Sequence, residues 1–204
     1  MERSQASSRN RGLLLFFILP FLIHGSAVAQ NALEVRGADT KYRFADWSYT
    51  FRNSAVLDLF YVGVPGSNEF NLGGGYVIRL RPSLTAIPLL YAALGKEGGQ
   101  RGIKVAVLVL WERAGWKANA FFGHFEPFSG SVDRYQVLDT LDFTRVIRGP
   151  WEMGISSGFF HTDGTWSPLV GPVLRINDRY GAWSISYRFG PQYEFRVGRV
   201  LAKK

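Results

Sequence analysis

GAWSISYRFG, residues 181–190, decides the fold. Trp183, Ile185, Tyr187 and Phe189 fall on one side of an extended chain, and Ala182, Ser184, Ser186 and Arg188 on the other. A period of two is a strand. The open question is which side meets water. In a soluble sandwich the ring-bearing side is the core. In a membrane barrel it faces lipid and the polar side lines the interior.

The same rhythm recurs along the chain. It predicts ten strands, at 54–63, 69–80, 84–94, 103–112, 115–126, 134–147, 151–162, 166–177, 182–190 and 192–202. Most connections are short and carry Gly, Pro, Asn or Asp, which supply hairpin angles. Residues 30–41 read as a polar lead-in, and residues 42–204 as one barrel domain. Tyr42 to Arg52 alternates enough for an extra strand or an amphipathic segment. Leu84 to Leu94 is apolar on both faces and contains Pro88, so a strand and a short helix both remain open. The count is therefore bracketed at eight to twelve.

The composition of the two faces separates lipid from core. The ring-bearing face collects Phe70, Leu72, Tyr76, Val105, Val107, Trp111, Ile155, Phe159, Tyr193 and Phe195. The opposite face holds Asn71, Gly73, Gly75, Lys104, Lys117, Asn119, Gly154, Ser156, Gly158, Gly171 and Gly198, with charges of both signs. Small residues and opposed charges suit the inside of a narrow barrel, not a solvated sheet surface. Trp111, Trp116, Trp151, Trp166 and Trp183 stand at strand ends, where aromatic belts mark membrane interfaces. Ten strands followed up and down put the turns at 82–83, 112–115, 149–150 and 177–181 at one end. The longer loops 95–102 and 127–133 land at the other, as in outer-membrane barrels.

The N-terminus reads as an address. Arg3, Arg9 and Arg11 precede the apolar run Leu13 to Ile23, and Ala27-Val28-Ala29 supplies small residues for cleavage, so residues 1–29 are expected to be a removed signal peptide. No later run approaches the ~20 apolar residues of a membrane helix. The chain has no cysteine, so neither disulfides nor thiolate metal sites form. Its net charge of +8 is scattered, without the basic stripe of a nucleic-acid binder.

The signal together with WEMGISSGFF, GAWSISYRFG and QYEFRVGRVL resembles a small bacterial outer-membrane β-barrel protein over residues 42–202. The resemblance implies an all-β, closed antiparallel up-and-down transmembrane β-barrel of about ten strands. It implies a bacterial outer-membrane location, and outer-membrane lipid and the export and barrel-assembly machinery as partners. The expected role is structural, adhesive or that of a narrow channel, with no cofactor. The chain departs from the pattern by ending Ala202-Lys203-Lys204, without a terminal aromatic residue.

Candidate residues fall into two groups. Arg79, Arg81, Asp142, Glu152, Arg175, Arg188, Glu194 and Arg196 are expected inside, mostly as ion pairs. If they leave a path, their Arg excess favours anions. Outside, His124, His161, Asp139 and Ser157 could make a carboxylate, hydroxyl and imidazole facing the outer leaflet, the ingredients of acyl transfer to lipid A. The bland readings are that both His sit at headgroup level and that Asp139 marks a register slip or strand bend. No His-x-x-x-His or Glu-x-x-His spacing supports a metal. Gly73-Gly74-Gly75 lies within a strand and is no phosphate loop. The competing class is a secreted soluble β-barrel that holds an apolar ligand against inward rings.

Overall fold

The computed structural model describes residues 30–65, 67–95, 101–129, 133–162, 164–191 and 193–203; the expected signal segment and most of the loop at 95–102 lie outside them. In chain order the strands are β1 (Gln30–Ala38), β2 (Arg43–Thr50), β3 (Ala55–Val64), β4 (Ser67–Tyr76), β5 (Ile78–Arg81), β6 (Leu84–Gly95) and β7 (Arg101–Arg113). There follow β8 (Trp116–Pro127), β9 (Tyr135–Arg148), β10 (Trp151–Thr162), β11 (Thr165–Asp178), β12 (Gly181–Arg188) and β13 (Glu194–Lys203). Spatial neighbours are chain neighbours, β1 pairs with β13, and β4 pairs with β6. Since β4 and β5 both run against β6, they are one strand broken at Val77. The result is a closed antiparallel barrel of twelve strand positions, at the top of the expected range.

All ten expected strands form. Leu84 to Leu94 is strand, not helix. Pro88 sits on the exposed face and pairs with Val107 on β7. Toward β4 the ladder stops at Gly75↔Leu89, one residue beyond it. Proline has no N–H to donate, so the break in the β4–β5 strand falls where a donor is missing anyway.

Residues 30–41 are not a lead-in. Asn31 to Ala38 pair with Lys203 to Arg196 on one side, and Gln30 to Gly37 with Thr50 to Arg43 on the other. The LEVR stretch alternates Leu33 and Val35 outward with Glu34 and Arg36 inward. Its two charges suggested a solvated segment, but they face a polar interior. Tyr42 to Arg52 likewise supplies a full strand, β2.

The outer face is apolar. Trp183, Tyr187 and Ile155 are 48, 40 and 55 % exposed, so they form no core. Their strand neighbours Glu152, Ser156, Ser186 and Arg188 are buried. That arrangement overturns the soluble binder, which needs rings inside and charges outside. Apart from the four-residue β5, which continues β4, strands of 8–14 residues match the ~9–11 needed to cross a bilayer at a tilt. Trp111, Trp116, Trp151 and Trp183 ring the short-turn end, and Trp166 lies at the loop end.

Local geometry follows the turn chemistry. The β7–β8 connection puts Ala114 at φ 52° and Gly115 at φ 80°. Two positive φ values in a two-residue hairpin suit Asn-Gly or Gly-Gly better than Ala-Gly. Ala114→Gly is expected to raise the urea midpoint of unfolding, by about 1 kcal/mol of stability, because the left-handed cost of a Cβ disappears. An unchanged or lower midpoint would refute this.

Candidate functional site: the barrel lumen

The inner face has two unlike halves. On β2, β3, β6, β7 and β8 it carries an apolar cluster beside buried charges: Val56, Phe60, Leu89, Tyr91 and Ala106 pack against Phe44, Ile87, Leu108 and Phe121. The Phe60 ring meets Tyr91 edge-on at 5.0 Å and Phe121 at 6.0 Å. Phe60 and Phe121 lie on strands separated by three others, so these rings bridge a chord of the lumen. On β9 to β13 the inner face is mostly polar: the small Thr144, Ser156 and Ser186 stand among Asp142, Glu152, Arg188, Glu194 and Arg196, with Val173 as a buried apolar residue. The glycines there serve strand approach: a Cβ at Gly154 would overlap the Phe143 carbonyl and one at Gly171 the Tyr187 carbonyl.

Ion pairs knit the polar surface. Glu152 Oε1 accepts from Lys117 Nζ at 2.6 Å and from Asn177 Nδ2 at 2.7 Å. Arg175 pairs with Asp142. Glu194 accepts from Arg188 Nε at 2.8 Å and lies 3.2 Å from Arg196 Nε. Arg196 in turn covers the Tyr42 ring at 4.3 Å. Nearer the loop end of the apolar half, Glu69 binds Lys104 and the Tyr135 hydroxyl and accepts from Asn71 Nδ2 at 2.8 Å. This links β4, β7 and β9 across the interior.

Six of the eight residues expected inside therefore point inward and are paired: Asp142, Glu152, Arg175, Arg188, Glu194 and Arg196. Arg79 and Arg81 differ. Both are exposed at the short-turn rim. Arg79 shares its row with Thr85 and, beyond it, the inward Leu110. A register shift before Arg81 sets it opposite Leu84, in the outward row of Trp111. The bulge, invisible to a period-two count, turns Arg81 away from the lumen.

Sequence reasoning missed Glu34, Asp46, Asp58 and Glu69, and with them the sign balance. Asp58 stands beside Asp46 and Tyr91 within the lumen. Glu34, Asp46 and Asp58 are flanked by apolar outward neighbours, as Asp58 is by Leu57 and Leu59. Extending the face assignment through β1 to β4 would have found them. With these acids inside, the Arg excess disappears.

The outward constellation does not assemble. His124 and His161 stand in one row, joined through Gln136 of β9. His124 Nε2 is 3.5 Å from Glu126, and His161 stacks on Trp166 at 4.1 Å. Ser157 lies four residues down β10 from His161, about 14 Å at ~3.4 Å per residue. Its hydroxyl donates to the Leu141 carbonyl at 3.2 Å. Asp139 is passed over in both registers of β9, opposite Gly158, and so occupies a β-bulge. A nucleophile that far from either base cannot be activated by it. Among the described residues no group of three or more His, Asp or Glu could hold a metal.

No family model matches the chain, and no curated protein matches it. Solved structures do. A KdgM porin aligns over 86 % of this chain and 98 % of its own, at 12 % identity and TM-score 0.60. A KdgM porin in complex with disordered oligogalacturonate aligns over the same shares, at 10 % identity and TM-score 0.62. The NanC porin aligns over 87 % of this chain and all of its own, at 13 % identity and TM-score 0.57. What this chain shares with them is the fold: the closed, twelve-position antiparallel barrel of bacterial outer-membrane porins.

Proposed function

We propose that this chain is a narrow diffusion channel of the bacterial outer membrane for small hydrophilic solutes of low net charge. One observation carries the reading: an apolar, ring-belted outer face encloses an interior whose β9–β13 half is polar. A purely structural or adhesive barrel has no need of small polar side chains between ion pairs along half of its lumen. The porin fold of the structural neighbours supports the location.

The charge pattern supports the solute class. The matched KdgM complex contains oligogalacturonate, a polyanion. Here the inward bases stand beside acids: Arg36 with Glu34, Lys104 with Glu69, Lys117 with Glu152, Arg175 with Asp142, and Arg188 and Arg196 with Glu194. Neutralised pairs leave little net field to select anions. Bore follows from the aromatic bridge, which closes the β2–β8 half.

Planar-bilayer recording tests this. Small, discrete steps with a reversal potential near zero in a salt gradient are expected. Phe60→Ala, which removes the central ring of the chord, is expected to raise the step size about twofold or more. Silent bilayers from protein that shows a normal heat shift on gels would overturn the channel. A strong anion preference would overturn the solute class.

A further inference from the structure

We infer that the seam where β1 meets β13 carries a binding site for one phosphorylated, multiply acylated glycolipid of the outer leaflet, lipid A in chemical class. The inference rests on the membrane reading above, not on conduction.

The site is a groove of about 720 Å³ on the outer face. Its apolar lining is Val35, Trp183, Phe195 and Val197, with Gly37 between them. Gly37 makes the depression. It lies in one outward row between Val197 and Arg43, and an added Cβ would meet only the Tyr42 carbonyl, at 4.0 Å. On a lipid-facing strand that position would ordinarily carry a large apolar side chain. From the row of Phe195 to that of Arg199 the groove spans four residues of β13, about 14 Å at ~3.4 Å each. That is about one leaflet of a ~25 Å apolar band, so it suits an acyl chain entering from a single side.

The loop-end rim supplies the complementary charge. Lys41 and Arg43 both line the groove. The turn that presents Lys41 is fixed: the Lys41 N–H donates to Ala38 and the Ala38 N–H to Tyr42, both at 3.0 Å, with Lys41 held at φ 65°. Asp39, the acid among the residues lining the groove, has an oxygen occupied by the Phe195 N–H at 3.0 Å. Neither Lys41 nor Arg43 has an ion-pair partner among the described residues. Two cations over an apolar trough one leaflet deep fit a phosphate above an acyl chain.

The test is native mass spectrometry of the full chain in detergent, titrated with diphosphorylated lipid A and, separately, with phosphatidylglycerol. Stoichiometric lipid A binding is expected. Joint Lys41→Glu and Arg43→Glu substitution should weaken it tenfold or more, and so should Gly37→Phe, which fills the trough. Arg179→Glu, at the opposite rim, should leave it unchanged. Each variant's gel heat shift reports folding, and Gly37→Ser gives a milder alternative should the Phe variant not assemble. Equal binding by wild type and the rim variant, or equal affinity for phosphatidylglycerol, overturns the site. A silent bilayer beside intact, site-dependent lipid A binding would remove the channel and leave this site standing.

Discussion

A variant lacking residues 30–38 is expected to lose the heat-modifiable, protease-resistant barrel completely. Those residues are β1, and both of its edges are occupied. Without them β2 and β13 face each other across a missing strand, each with eight residues whose partners are gone. In a bilayer every unsatisfied backbone group costs several kcal/mol, and no water is present to replace the ladder. The barrel could close only by shearing to eleven positions, which would bring two parallel strand directions together and break the up-and-down order. Trimming Gln30 alone removes one pair at the rim and is expected to leave the heat shift intact. If residues 30–41 were a dispensable lead-in, the deletion would fold, so semi-native gels of the purified variants decide the matter.

That expected result also marks where the sequence was legible. Wherever strands alternate strictly and end in turn residues, as in β10 and β12, fold and facing are readable without coordinates. The signal fails in three places, for three physical reasons. In β1 the inward residues are Glu34 and Arg36, so a strand of the closing seam has the composition of a solvated tail. In β9 a bulge at Asp139 changes the phase, and a charge that counts as outward by period two belongs to an irregular backbone position. In β6 both faces are apolar, because Leu89 and Tyr91 join an aromatic half of the lumen that a uniformly polar interior does not anticipate.

The site was legible in the same measure. Residues on the polar wall, Glu152, Arg175, Arg188 and Arg196, were found because alternation there is clean. Their partners across strands were not, since a one-dimensional pattern holds no register between β4 and β7. Glu69, Lys104 and Tyr135 meet over 35 and 66 residues of chain. No local spacing encodes such a contact. Only the curling of the sheet into a barrel, which turns the inner faces of β4, β7 and β9 toward one another, brings them together.

That contact yields the second large expectation. Lys104→Met should destabilise the barrel by about 3–5 kcal/mol, because it leaves the Glu69 carboxylate buried without its base. The two side chains are 2 and 3 % exposed. The Lys104 ammonium also lies 4.9 Å from the Phe60 ring centre and 5.1 Å from that of Tyr135, so cation–π attraction is lost as well. Adding Glu69→Gln to the same chain should recover most of the loss. The amide is neutral, and Asn71 and Tyr135 remain within reach as hydrogen-bond partners. Arg134→Met is the control. It breaks the Arg134–Glu126 pair at 2.8 Å, but those side chains are 71 and 48 % exposed, and exposed pairs contribute about 0–1 kcal/mol. Urea midpoints for refolding into lipid vesicles should therefore rank wild type and Arg134→Met together, the double variant slightly below, and Lys104→Met far below. A double variant as unstable as the single one would mean that Lys104 acts through packing of its stem against the rings. The interior would then be held by its aromatic half, and the ion pair would be a passenger.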